Sequence, residues 1–220
     1  ENLCPATYCV EIKDANNCIQ QYCATVAAGS IKLVLDGNIV MRIHDGSPSE
    51  PSYLVVDEPF ANSIIANENS HICSEGQFNK VRWSIGDQTG TYTVPFGDSD
   101  GLLPLSLSIA DAGSDDGHID FSTYGTSVDN LPLPVGVLMI AHLDENIPTD
   151  GAKVYDRYWF VNADSYTTKP EGVMSFAYNP DNMTGDLQSG ITSLGAQSHD
   201  GDTWYINQLG ADNLAGVVSG

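Results

Sequence analysis

The chain has 220 residues and a formal net charge of −21, with 29 Asp and Glu against 8 Lys and Arg. Such a surface repels phosphate backbones, which excludes nucleic-acid or anionic-membrane binding through a basic face. A charged fraction of 17% beside 41% hydrophobic residues marks a folded chain rather than an acidic disordered one, and no apolar run is long enough to insert into a membrane as a span.

At the N-terminus, Glu1-Asn2-Leu3-Cys4 has neither a basic nor an apolar leader region, which suggests a mature chain or a piece of a longer one. Cys4, Cys9, Cys18 and Cys23 follow closely, without the C-x-x-C spacing of a metal site. A hairpin explains them better: Tyr8 to Ile12 alternates like a strand, Asp14 to Asn17 supply the turn, and Cys18 to Val26 return. Cys9 and Cys23 then face each other within disulfide reach, and Cys4 with Cys18 is the natural second pair. This is one of three possible pairings, and four free thiols are the bland rival. Disulfides place the chain outside the cell. Cys73 stands alone, as a free core thiol or as a partner for another chain.

Further on, Ile31 to Leu35 and Asn38 to Ile43 flank Asp36-Gly37, a two-residue hairpin signal. Tyr53 to Val56 and Ser63 to Ala66 are short strands, although Ala61 to Asn69 also admits a helical turn. Val81 to Ile85, Thr91 to Val94 and Leu103 to Ile109 alternate as sheets with one wet face do. In the next strand Ile119, Phe121 and Thr123 share a face, and the apolar run Val137 to Ala141 reads as a central strand. Tyr155 to Val161, Val173 to Tyr178 and Trp204 to Asn207 complete the series. Strands without helices predict an all-β chain, an antiparallel β-sandwich of immunoglobulin-like or jelly-roll-like kind, with no repeat at a fixed period. The expected divisions are 1–26, a repeat remnant; 27–70, a short β-segment that can join the next sheet; and 71–220, the sandwich.

Two resemblances bear on function. The run Asn2 to Cys18, Asn-Leu-Cys-Pro-Ala-Thr-Tyr-Cys-Val-Glu-Ile-Lys-Asp-Ala-Asn-Asn-Cys, resembles the closing hairpin of repeats in bacterial gliding adhesins, with Ala6 and Asn17 where those repeats carry glycine. That resemblance implies a hairpin from an incomplete immunoglobulin-like repeat. His71 to Glu75, Asn79 to Trp83, Gly90 to Gly97 and Asp156 to Val161 follow an order similar to modules in secreted surface proteins of the Bacteroidota. Such modules often precede a type IX secretion sorting domain. What the resemblance implies is an extracellular, cell-surface location and no active site.

Three chemistries are weighed on the residues. Asp98 and Asp100, and Asp111, Asp115 and Asp116, crowd carboxylates into two Gly-containing loops that suit Ca2+, although neither completes an EF-hand. Solvated turns are the plain alternative. Ser198-His199-Asp200 has triad residue types, but neighbours in sequence cannot form the relay, and no G-x-S-x-G or H-E-x-x-H occurs. Enzymatic activity is not expected. Trp204, after Asp200-Gly201-Asp202, is the best exposed candidate for stacking on sugar, whereas Trp83 and Trp159 read as core. The expected role is a non-enzymatic structural or adhesive module of a large exported surface protein, mediating attachment or assembly. Its partners would be other chains of a surface assembly or a prey, host or surface target. A carbohydrate-binding module for polysaccharide is the alternative.

Overall fold

The computed structural model describes residues 6–13, 19–26, 32–44, 46–142, 147–148, 154–180, 194–212 and 217–219. The chain is all-β: every regular element among these residues is a strand. It divides into two compact units, Glu1–Ile31 and Lys32–Gly220, so that the strands between residues 32 and 70 belong with those that follow.

In the first unit β1 (Ala6–Lys13) pairs antiparallel with β2 (Ile19–Val26), and Cys9 stands opposite Cys23 in the register. Cys4 and Cys18 lie outside the described residues.

The second unit begins with an arrangement that differs from the expected hairpin. β3 (Leu33–Leu35) and β4 (Val40–Arg42) do not pair with each other. Instead β3 runs parallel to β6 (Ile64–Ala66), and β4 parallel to β7 (His71–Cys73). β5 (Ser52–Val56) runs parallel to β8 (Asn79–Trp83). One strand-turn-strand layer, 33–56, is thus stacked on another, 64–83. The Asp36-Gly37 turn joins two ladders rather than folding one strand back onto its neighbour.

Side chains of the second layer satisfy the turns of the first. Asn67 Nδ2 donates to Asp36 Oδ1 at 3.1 Å, Ile39 N donates to Ser70 Oγ at 3.1 Å, and Ser70 Oγ donates to the Gly37 carbonyl at 2.9 Å. Buried Asn79 accepts from Gly46 N and donates to the Ser74 carbonyl, tying one layer's corner to the other's turn. Gly46 is required there, because a Cβ would collide with the Phe78 carbonyl. Buried backbone groups need such partners, and these polar pegs supply them.

Two four-stranded sheets follow. One has the order β16-β13-β8-β5, with β13 at His118–Gly125 and β16 at Arg157–Asp164. The other is antiparallel throughout and has the order β20-β17-β12-β9: Val217–Ser219, Glu171–Ala177, Leu105–Asp111 and Gly90–Val94. Val81, Trp83, Ile119 and Phe121 of the first sheet share one core with Tyr92, Val94, Leu105 and Leu107 of the second. The alternation seen in sequence is therefore real, with period 2 aiming these residues at a common interior. Trp83 lies at its centre, fully buried, edge-on to Tyr92 at 5.2 Å, with its indole N–H donated to the Glu58 carbonyl at 2.9 Å.

Smaller pairs complete the described strands: β10 (Gly97–Asp98) with β11 (Gly101–Leu102), β14 (Ala141–His142) with β15 (Ile147–Pro148), and β18 (Leu194–His199) with β19 (Trp204–Asp212). The run Val137–Ala141 is not a central strand. Pro132, Pro134 and Gly136 lead into it as a loop, only Ala141 enters a short strand, and Leu138 is 89% exposed. Ala61–Asn69 holds a turn and β6 rather than a helix.

Several tyrosines are buried with their hydroxyls bonded to carbonyls: Tyr92 to Pro59, Tyr124 to Pro132, Tyr158 to Asn130. Burial pushes Tyr124 and Tyr166 up to about 12, and Tyr158 higher still. An unfolded tyrosine ionises near pH ~10. Above that pH the unfolded chain releases protons that the folded chain keeps, so stability present below pH ~10 is lost as the pH climbs toward 12. Urea midpoints followed from about pH 8 upward are expected to fall across this window, ahead of tyrosinate absorbance in the folded protein. A flat midpoint would show that these hydroxyls are not held in the core.

Candidate functional site

Charge is scarce on the basic side of this chain, and the structure places Lys80, Arg82 and Arg157 at seams between strands. Arg157, at the start of β16, has a side chain only 5% exposed. Its guanidinium donates to Glu75 Oε1 at 2.8 Å, Asp98 Oδ2 at 2.6 Å and Thr123 Oγ1 at 3.2 Å. Glu75 adopts φ of 42°, and its second oxygen accepts from Gly125 N at 3.0 Å. The cluster binds the β7–β8 turn, the β10 hairpin, β13 and β16 together. A fixed planar fork meeting two carboxylates is the geometry in which arginine outperforms lysine.

A second seam crosses the face of the β5-β8-β13 sheet that points away from the core. Arg82 makes two hydrogen bonds to Asp120, at 2.8 and 3.0 Å, and stacks over the Tyr53 ring at 4.1 Å. Lys80 adds a contact to Asp120 at 3.3 Å. Burial pushes the Asp120 carboxyl up, but Arg82 and Lys80 together outweigh it and hold the group below its usual range. The same bond raises Arg82 above its ordinary value, with burial opposing. This face is stitched by charge across three strands, which explains why both faces of β13 are covered although its sequence alternates.

The residues singled out from sequence fall as follows. Asp98 ends β10, with one oxygen held by Arg157 and the other accepting from Asp100 N at 2.8 Å. Asp111 ends β12 opposite Glu171, and Asp115 stands at φ of 74° in the loop that follows, next to Asp116. That loop is built against the protein: Ser114 N donates to the Thr168 carbonyl, Gly86 N to the Gly117 carbonyl, and Gly117 lies against the Tyr166 ring with no room for a Cβ. Among the described residues no three carboxylate, His or Cys side chains converge as a cation would require. Asp98 thus anchors Arg157, and the loop of Asp111, Asp115 and Asp116 is packed against its neighbours.

Trp204 is half-buried rather than open. Its indole N–H donates to the Met139 carbonyl at 2.8 Å, and its ring packs on Tyr124, Ile140 and Tyr158. Neighbouring Tyr205 is the exposed aromatic, 49% accessible, with its hydroxyl donated to Asp200 Oδ2. Backbone N–H groups of Thr203 and Asp202 and the Tyr205 hydroxyl hold the Asp200 carboxyl below its usual range. His199 meets the Trp204 ring at 5.0 Å and accepts from Gly201 N; Ser198 and His199 close β18, and Asp200 opens the turn that follows. Cys73 is a free, buried thiol; burial raises it, and Arg42 Nη1 lies 3.1 Å from its sulfur. Such a thiol is poorly ionised and inert.

Neither cationic seam was visible in the sequence. The only signal was economy: with 8 cations in 220 residues, an Arg inside a strand pattern is a candidate for a structural ion pair. No known family, curated protein or solved structure matches the chain.

Proposed function

We propose that the chain is a non-enzymatic structural or adhesive module of a large exported surface protein, extracellular and engaged in attachment or assembly. In this reading the two four-stranded sheets are the layers of a β-sandwich of immunoglobulin-like or jelly-roll-like kind, and β1–β2 is a disulfide-braced hairpin from an incomplete repeat. The observation that carries the reading is the β1–β2 ladder, two strands with Cys9 directly opposite Cys23. A two-stranded hairpin is marginal alone, and cross-strand cysteines are spaced for a bond that braces it outside the cell. Its outer edges suit pairing with strands of a repeat or of another chain.

Intact mass of the unreduced, alkylated protein tests the brace. The expected result is alkylation at Cys73 alone after unfolding, with both bridges lost on reduction. Sedimentation of the full chain tests assembly: association that disappears in a variant with proline at Val10 and Gln21 supports the route through residues 7–26. A strictly monomeric protein with all five cysteines reactive overturns it.

The second reading, a carbohydrate-binding module, is favoured by Tyr205, exposed beside Trp204 and His199 at the β18–β19 turn. Exposed aromatic faces stack on sugar rings. Monomeric binding to a glycan array that a Tyr205→Ala variant loses, with its melting unchanged, would favour this reading over assembly.

A further inference from the structure

Two of the three ladders in the stack share one register. Leu33 pairs with Ile64 and Val40 with His71, an offset of 31 residues that recurs in side-chain bonds between the layers. Ser52 pairs with Asn79 at an offset of 27, the difference being taken up in the corner before β5. Leu33 N donates to the Ser63 carbonyl and Asn67 N to the Leu35 carbonyl, so Leu33 and Leu35 turn their backbone groups toward β6. His71 N bonds to the Ile39 carbonyl and Ile43 N to that of Cys73, which does the same for β4. Ser52 N bonds to the Phe78 carbonyl and Ser84 N to that of Val56, which does the same for β5. By strand alternation, the N–H and C=O groups of Val34, Val40, Tyr53 and Val55 point the opposite way. Among the described residues no strand pairs with that edge of β3, β4 or β5.

The edge carries little of the usual protection. Proteins blunt open edges with proline, charged side chains, bulges or a covering loop. Leu33–Leu35, Val40–Arg42 and Ser52–Val56 contain no proline and one charged residue, Arg42, whose Nη1 donates to Cys73 Sγ, and Val34, Val40 and Val55 are 55%, 44% and 54% exposed. Val34, Val40, Tyr53 and Val55 are strong strand formers.

We propose that this edge is a docking template for a strand-turn-strand segment of a different polypeptide, neutral or cationic, which adds a further parallel layer on β3, β4 and β5. The inference rests on the assembly reading and names an edge and a partner for it. Two observations select that occupant. On the far side of the stack β7 is bridged to Phe96 through Ile72 and β8 is paired with β13, which leaves β6 alone unpaired there among the described residues, so a second copy cannot add its strands head to tail across all three. Edge-to-edge pairing of two copies would bring together two acidic segments, since residues 32–57 carry two cations against four acids, whereas a neutral or cationic strand meets no such repulsion.

The probe is a synthetic peptide with the sequence of residues 32–57, carrying Asp36→Asn and Glu50→Lys. The natural segment has two cations against four acids, and the changes turn its charge from −2 to +1. Amide exchange is read by NMR on the full chain. The expected result is exchange slowed ten-fold or more at Val34, Val40, Tyr53 and Val55, with Leu33, Leu35 and Met41 unchanged, and no effect from a scrambled peptide. A Val34→Lys, Val55→Lys variant, altered only at exposed side chains, is expected to weaken binding at least ten-fold. No slowing at millimolar peptide, equal slowing by the scrambled peptide, or concentration-dependent slowing at these amides in the protein alone overturns the proposal; the last names a second copy as the occupant. Association through residues 7–26 that persists while the peptide fails here overturns only this edge, whereas peptide binding by a chain whose cysteines are all reduced separates the edge from the extracellular reading.

Discussion

Replacing Trp83 with alanine is expected to cost about 4–5 kcal/mol, the upper end for a large aromatic removed from a core. Three losses coincide at this position. The indole is fully buried, so its removal leaves a cavity bounded by both four-stranded sheets. Its edge-on contact with Tyr92 disappears, and the Glu58 carbonyl loses its donor. Domains of this size are stable by roughly 5–15 kcal/mol, so the variant should retain little folded protein at physiological temperature. The check is a urea titration in which the midpoint drops while the slope is kept. Trp204→Ala supplies the contrast. Half-buried at the margin of the smaller Tyr124–Tyr158 cluster, it should cost only about 1–2 kcal/mol. Equal losses at the two tryptophans would show that the core is not centred between the sheets.

That contrast also shows what a sequence can and cannot say about such a chain. Trp83 was legible as core because Val81, Trp83 and Ile85 alternate with polar neighbours, and alternation is a local property. The β1–β2 hairpin was legible for the same reason, down to the opposition of Cys9 and Cys23. The parallel stack was not. Its pairs are Leu33 with Ile64, Leu35 with Ala66, Met41 with Ile72 and Arg42 with Cys73. Stacking asks only that neighbours be compatible in size and polarity, so between residues 33 and 43 the 31-residue offset leaves a single identity, Asn38 with Asn69, too little for a repeat search to find. Asp36-Gly37 then misled, because a turn motif fixes the local bend and not the strand that each arm will join. The apolar run at Val137–Ala141 misled differently. Hydrophobicity alone suggested burial, but Pro132, Pro134 and Gly136 commit the segment to a loop, held by Val135 N on Gln77 and Trp204 on the Met139 carbonyl. Nor does the sequence reveal that Arg157, 59 residues away, takes up Asp98.

Arg157 itself provides the sharper electrostatic test. Arg157→Met keeps much of the side-chain volume but removes the one cation between Glu75 and Asp98. Two carboxylates are then left facing each other, Asp98 with 20% of its side chain accessible and Glu75 with 35%. Removing one partner of a fully buried pair costs roughly 3–5 kcal/mol; with the acids partly solvated, about 2–3 kcal/mol is expected here. Most of that cost is like-charge repulsion and lost solvation of the acids. Adding Asp98→Asn to Arg157→Met should therefore recover stability rather than reduce it further, a coupling of at least about 1 kcal/mol in a double-mutant cycle. The measurement is a set of urea midpoints for the four proteins of the cycle. Additive losses at Arg157 and Asp98 would mean that the guanidinium contributes by packing alone and that the seam between β10, β13 and β16 is not held by charge.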